Sequence, residues 1–488
     1  MDSYKLWTKR LLLSVGACYA LPAEAADITI TPSIALDEKF TDNVLVTSSN
    51  RQTDFITSVN PGLKVEGKGA QLNFGLDYQP AYDHYATNNH LDGWRHEGLG
   101  VGKAELVKDW LFLDLRGAIS EENANPIGPG ASTDRTAPLN RLQVATYSIG
   151  PSLRHAFADQ VLAQLSYRHD QVAYRNSGAT AVQNTNAVDS VGDGGRFELR
   201  SGEAYSTTQG SYAVAADRVD RADMVFTHVA HTGRAEQSVT EGVALLGHLG
   251  HDRISDPKVD GDRFGGAFYG GGLHWVPGEG SDVVAEVGQR YDGLDVAALG
   301  TLKVGGATTL RLSQQTNLET EEQSLANSLD VVERDAEGRF VDPFSGLRAA
   351  PTSSPFTRST SVFKQRRSDA ALQYGDADTQ AVLSTGLVTR KSISAGAGGT
   401  TSAMLATLSV DRRVREDVTA SLQLGVDDIY KGSLASERGR AVKGLLGMTY
   451  AVTPMTTARA SYRYVHTQPD QGANVHENMI SLGGRMKF

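Results

Sequence analysis

Residues 71–85, QLNFGLDYQPAYDHY, decide how the chain is to be read. Leu72, Phe74, Leu76, Tyr78, Pro80 and Tyr82 are apolar or aromatic, while Gln71, Asn73, Asp77 and Gln79 between them are polar. Successive side chains of a strand point to opposite faces, so this alternation describes a strand with one oily and one wet face. A soluble sheet would bury the oily face in a core; a membrane barrel would turn it toward lipid. In the barrel setting Leu72, Phe74 and Leu76 face lipid and Asn73 and Asp77 the interior. An arginine at Phe74 is then costly if that position lies near the midplane. Tyr78 and Tyr82 fall at or beyond the outer aromatic girdle, and Asp83, His84 and Tyr85 in the following loop.

Composition narrows the choice. The chain has 488 residues, 40% apolar and 21% charged, with 51 glycines and a net charge of -10. A mean hydropathy of -0.31 excludes a bundle of transmembrane helices. It leaves barrels open, because their strands are about ten residues long and half polar. An acidic chain of this kind is a poor candidate for nucleic-acid binding.

The N-terminus reads as a secretory signal over residues 1–25, with the barrel occupying 26–488. Lys5, Lys9 and Arg10 precede an apolar centre from Leu11 to Ala20, and Ala23-Glu24-Ala25 supplies a small-x-small cleavage site. The alternative is a lipobox at Val15–Cys18, which would make Cys18 a lipidated first residue. Cys18 is the single cysteine, so cleavage after Ala25 leaves neither a disulfide nor a cysteine metal site.

Along the rest of the chain, short turn-like connections such as KDW (108–110), FADQ (157–160) and VTPM (452–455) alternate with long polar loops. That rhythm predicts an up-and-down antiparallel meander with one trimmed end and one elaborated end. Bacterial outer-membrane barrels have this asymmetry, with short turns on the periplasmic side. Counting gives a single large all-β transmembrane barrel of about 22 strands, within a range of 18–24, with weak strands around 193–200 and 294–317 left open to merging or splitting. In ARASYRYVH, Arg459 and Arg463 alternate with Ala458, Ala460, Tyr462 and Tyr464; in ATYSIGPSLRH, Arg154 lies opposite Tyr147, Ile149 and Leu153. Mid-membrane arginine on the lipid face costs about 2 to 4 kcal/mol. Asn73, Asp77, Arg154, Arg459 and Arg463 are therefore the candidate lumen-facing residues. The chain stops at MISLGGRMKF, whose terminal Phe488 resembles the C-terminal signal read by the barrel assembly machinery.

The segments ITPSIALDEKFTDNV, FITSVNPGL, YSIGPSLRHAFADQ, SYRHDQVAY, GQRYDGL and VFKQRRSDAALQY, in that order, resemble the outer-membrane barrel proteins associated with PEP-CTERM/exosortase systems. GHLGHD (247–252) departs from the resemblance, with His251 where an aromatic is expected. The family implies a link to exopolysaccharide production and carries no catalytic residues over. Expected partners are outer-membrane lipid and lipopolysaccharide, the assembly machinery, and exopolysaccharide with its export machinery.

No catalytic, cofactor or metal site is expected. His84, His90 and His96 read as polar rim residues, and the pairs His228/His231 and His248/His251, at spacing three, point to opposite strand faces. The acidic loops lack the spacing of a calcium loop, and no nucleophile elbow or phosphate loop is present. Two points stay open. In FKQRRSD (363–369) the face taken by Lys364, Arg366 and Arg367 is undecided, and the segment 318–357 either folds into the lumen or projects outward. A passive export channel is the leading reading, with a non-conducting surface anchor or a general porin as alternatives. A TonB-dependent receptor would need a large N-terminal plug, for which a strand pattern starting at residue 28 leaves no room.

Overall fold

The computed structural model describes residues 26–123, 141–176, 187–222, 224–256, 259, 261–335, 339–349, 355–356, 358–394, 399–432 and 437–488. The proposed signal segment and cleavage site lie outside them. The chain forms one closed antiparallel barrel in which each strand pairs with its sequence neighbour. Its sheet contains 24 hydrogen-bonded segments. Leu72–Tyr78 and Ala81–Tyr85 form one wall strand broken at Gln79–Pro80, and Gly93–Arg95 and Gly98–Val107 form a second broken one, so the wall has 22 strands. The ring closes where Asp27–Thr41 pairs with the last strand, Val475–Lys487, antiparallel from Ser33↔Lys487 to Thr41↔Met479. Closure leaves no open sheet edge, which a bilayer demands because lipid cannot satisfy bare backbone groups. The segments expected to merge or split are separate strands, Ser190–Ser201, Leu294–Lys303 and Thr308–Glu319.

The period-two pattern is realised around the wall. On Asp27–Thr41 the outward Ile28, Ile30, Ile34 and Leu36 are exposed, whereas the inward Ala35, Asp37, Lys39 and Thr41 are buried. Trp110, Phe157, Trp275, Tyr374 and Tyr450 are exposed at the short-turn end. Trp94 and Tyr430 are exposed at the long-loop end. An apolar band between aromatic girdles is the signature of a barrel in the bacterial outer membrane.

The structure corrects two expectations for residues 71–85. Asp83, His84 and Tyr85 are not loop residues: Ala81–Tyr85 continues the strand, and Tyr85, 3% exposed, pairs with Ile56 and packs inside the barrel. The chain can resume its strand after Pro80 because that break is where a residue without a backbone N–H is tolerated. Phe74 also stands only two residues into its strand, opposite Gly67 near the periplasmic end, so the midplane penalty does not apply there. Leu446 occupies the middle of the lipid face on Gly439–Thr453, between the outward Val442 and Tyr450, and is 58% exposed. Leu446→Arg is expected to impair assembly by about 2 to 4 kcal/mol, and Thr449→Arg, on the inner face of the same strand, to be tolerated. Heat-modifiable mobility after refolding into bilayers measures both.

Candidate functional site: the occluded lumen

The described residues between Thr308–Glu319 and Phe363–Gly375 fold into the lumen. They open with a helix, Glu321–Asp330, set by a local signal in the sequence. Thr320 accepts from the Gln323 amide at 3.2 Å and the Gln323 side chain accepts from the Thr320 amide at 3.0 Å, a reciprocal capping box. Leu325, Ala326 and Leu329 then bury one helical face. At the far end, Arg116 of the opposite wall donates Nη1 to the carbonyls of Leu329 (2.5 Å), Asp330 (3.0 Å) and Val332 (3.2 Å). A cation on those unsatisfied carbonyls both pairs them and complements the helix dipole.

Glu321 and Glu322 in the first turn are 1% and 2% exposed. Each meets an arginine from the wall. Arg390 donates Nη1 to Glu321 Oε2 at 2.5 Å and Nε to Gln365 at 2.5 Å, with the rings of Phe356 and Phe363 at 4.9 Å. Arg221 donates to both Glu322 oxygens at 3.3 Å and also to the Thr360 carbonyl on the returning limb. Burial pushes the Glu322 carboxyl above its usual range, while Arg221 pulls it back. On that limb Arg358 pairs with Glu122 and donates to the Tyr174 hydroxyl at 3.1 Å. Between the limbs the segment crosses to other parts of the wall. Arg334 pairs with Glu66 and donates to the Phe74 carbonyl at 2.8 Å, and Gln373 donates to the Phe344 carbonyl at 3.0 Å.

Two further loops help to close the extracellular end. Residues 42–53 fold inward, with Val44 and Val46 at 0% and 4% exposure against Ile56, Tyr85 and Val475. A second loop, described at Asp256, Val259 and 261–265, reaches the end of the short hairpin Ser281–Gln289 and Leu294–Lys303, where Arg263 donates to Asp292 at 2.7 Å. Its Val259 bridges Ser394, and Val259 and Phe264 join a buried apolar cluster with Phe226, Tyr291 and Leu318.

The result is a lumen that differs between its ends. Inward positions near the long loops are buried: Ala403 at 0%, Ile429 at 2%, Thr467 at 3%, Ser190 at 5%. On the same strands, inward positions near the short turns, such as Arg413, Gln423, Arg459 and Arg200, are exposed. The extracellular half is packed, and the periplasmic half is a polar vestibule that the insert enters on one side, at Glu66, Asn73, Phe74 and Gln373.

The five candidate residues fall as follows. Asn73 accepts from Arg334 of the insert at 3.4 Å. Asp77 lines a cavity of about 200 Å³ between insert and wall, with Glu97, Leu99, Phe340 and Arg348. Arg154 is exposed on the inner face over the Phe112 ring, 5.2 Å from its centroid. Arg459 makes a two-point contact with Asp37, at 2.9 and 2.5 Å, and Asn60 donates to the same carboxylate at 2.9 Å. Arg463 is half-buried on the same face as Arg459. Phe488 donates its amide to the Pro32 carbonyl at 2.9 Å beside the closing seam. These residues do not converge on one centre. The basic run 364–367 divides: Arg367 turns inward to Asp369 at 2.7 Å, whereas Lys364 and Arg366 reach the backbone of Tyr291 and Leu294 on the neighbouring hairpin. Glu321, Glu322, Arg221, Arg358 and Arg390, the residues that hold the insert, escape a strand-based reading. The sequence T-E-E-Q at 320–323 followed by Leu325, Ala326 and Leu329 was the available signal.

No family model matches the chain, and no curated protein matches it. Among solved structures it is similar to the siderophore receptor PirA from Pseudomonas aeruginosa, at 9% identity over 94% of this chain and 80% of that one, with a TM-score of 0.45. It is also similar to the FrpB iron transporter from Neisseria meningitidis, at 10% identity over 96% and 82%, TM-score 0.49. OccK9 (OpdG) from Pseudomonas aeruginosa aligns at 10% identity over 95% and 99%, TM-score 0.36. Likenesses this distant say nothing of a substrate.

Arg390→Met is expected to leave Glu321 buried without its cation and to weaken docking of the insert by about 3 to 5 kcal/mol. The double variant Arg390→Met, Glu321→Leu should recover most of that loss. Amide hydrogen exchange of residues 320–332 in the refolded barrel reads both.

Proposed function

We propose that the protein is a passive conduit serving exopolysaccharide export across the outer membrane, with the insert as its resting closure on the extracellular side. The observation that supports this reading is the difference between the two ends of the lumen: a polar, exposed inner wall facing the periplasm and a packed extracellular half. A solute moving outward meets the vestibule first and the closure last. A polysaccharide needs hydrogen-bonding walls, and the inward Asn73, Gln423, Thr449 and Arg459 supply them. The resemblance of ITPSIALDEKFTDNV and its companion segments to the exosortase-associated barrels agrees with the assignment to exopolysaccharide.

A second reading, a non-conducting barrel that anchors exported material, is favoured by the number of buried charges that pin the insert. Bilayer conductance separates the two. The intact chain should conduct in brief, rare openings, and replacing residues 320–362 by a short Gly-Ser linker should convert these to a large, stable conductance. A deletion variant that folds, by heat-modifiable mobility, and remains closed would favour the anchor.

A further inference from the structure

Four cations stand inward at the periplasmic ends of four wall strands: Lys68, Lys103, Arg154 and Arg200. Each lies within four residues of its strand's last position. Register places them on the inner face. Lys68 and Lys103 are both opposite Asn73, whose side chain meets the insert. Arg154 is opposite Gln164, which is opposite Glu198, two residues from Arg200. All four are exposed. They belong to four consecutive strands that run toward the periplasm, separated in each case by one strand running the other way. Alternate strands lie roughly 10 Å apart across a sheet, so the four form an evenly stepped arc along one side of the mouth.

None of the four has an acidic partner among the described residues. Of the inward acids nearest to them, Asp114 is held by Arg116 at 2.7 Å, Glu198 by Arg196 at 3.0 Å, and Glu66 by Lys64 at 3.1 Å and by Arg334, while Glu105, two residues from Lys103 on the same face, accepts the Asp109 amide. The arc therefore keeps an excess of positive charge, four cations beside the acid Glu105, in a chain whose net charge is -10. Rings of Lys and Arg are how pores select anions, and a charged cleft with low-dielectric walls concentrates ions of opposite sign.

We infer that this arc gathers an anionic polymer from the periplasm and that the polysaccharide served by the barrel carries carboxylates. The inference rests on the export reading for its direction, but binding at the arc does not require passage. The test therefore uses the closed, full-length barrel in detergent. Fluorescent oligogalacturonate and a neutral dextran of equal length are titrated at low and at physiological salt. Oligogalacturonate should bind at least tenfold more tightly than dextran, and salt should weaken it, as screening of exposed charges requires. The combined variant Lys103→Gln, Arg154→Gln, Arg200→Gln should lose at least tenfold in that affinity. Lys364→Gln with Arg366→Gln, at the other end of the barrel, should leave it unchanged. Equal binding of the two polymers, or full affinity in the triple variant, overturns the inference. If the arc binds and the insert-deleted barrel never conducts, the conduit fails and the anion site stands. If the insert-deleted barrel conducts and the arc shows no anion preference, the conduit stands and the anion site fails.

Discussion

Two ion pairs between the insert and the wall, Glu321 with Arg390 and Glu322 with Arg221, hold the closure in place. Carrying four charged groups out of water is expensive, and their attraction repays it only when geometry is good and the remaining polar atoms are satisfied. Here Gln365 and Thr360 take up other arginine donors and the carboxylates sit at the positive end of the helix that bears them, while Glu321 Oε1 is buried without a hydrogen-bond partner. Ion pairs of this kind add little net stability over an apolar core of the same shape. Their effect is to fix one arrangement, since any displacement of the helix separates buried charges. Together with Arg116, Arg334 and Arg358, they select one position for a long inward segment.

The remaining features of the lumen follow from that position. Once the helix is pinned at its N-terminus by Arg390 and Arg221 and at its C-terminus by Arg116, the chain must cross the interior to return to Phe363. It does so against Glu66, Phe74 and Gln373, and Arg358 secures the return. The apolar contacts of Leu329 with Leu99 and Phe340, and of Phe356 with Val388, Ala403 and Ile429, give the inner wall of this barrel small hydrophobic cores that a water-filled pore would not have. The vestibule is what the described residues of the insert, the loop 42–53, Val259 and 261–265 leave uncovered.

The wall was legible in the sequence because each strand carries its own evidence. Alternation in residues such as Ala458–Tyr464 needs no knowledge of distant partners, and short turns alternating with long loops give the meander and its even count. The strand's continuation through Tyr85 was hidden because Pro80 and a polar Asp83-His84 look like a turn, and only pairing with Ile56–Val59 shows otherwise. The insert was illegible as a position, because what decides it lies far away along the chain: Arg116, Arg221 and Arg390 are ordinary inward arginines until a helix from elsewhere meets them. The helix itself was locally encoded at Thr320–Gln323 and lost among strand signals.

A conduit with a resting closure requires a lumen that is open to the periplasm and closed to the outside. Sided labelling of the variant Thr449→Cys, at an exposed inner-face position in the vestibule, measures that sidedness without any assumption about the solute. A bulky membrane-impermeant maleimide should modify the new thiol rapidly when presented from the periplasmic side of reconstituted barrels and hardly at all when presented to the extracellular side. Equal labelling from both sides in the intact chain would show that the insert does not close the barrel.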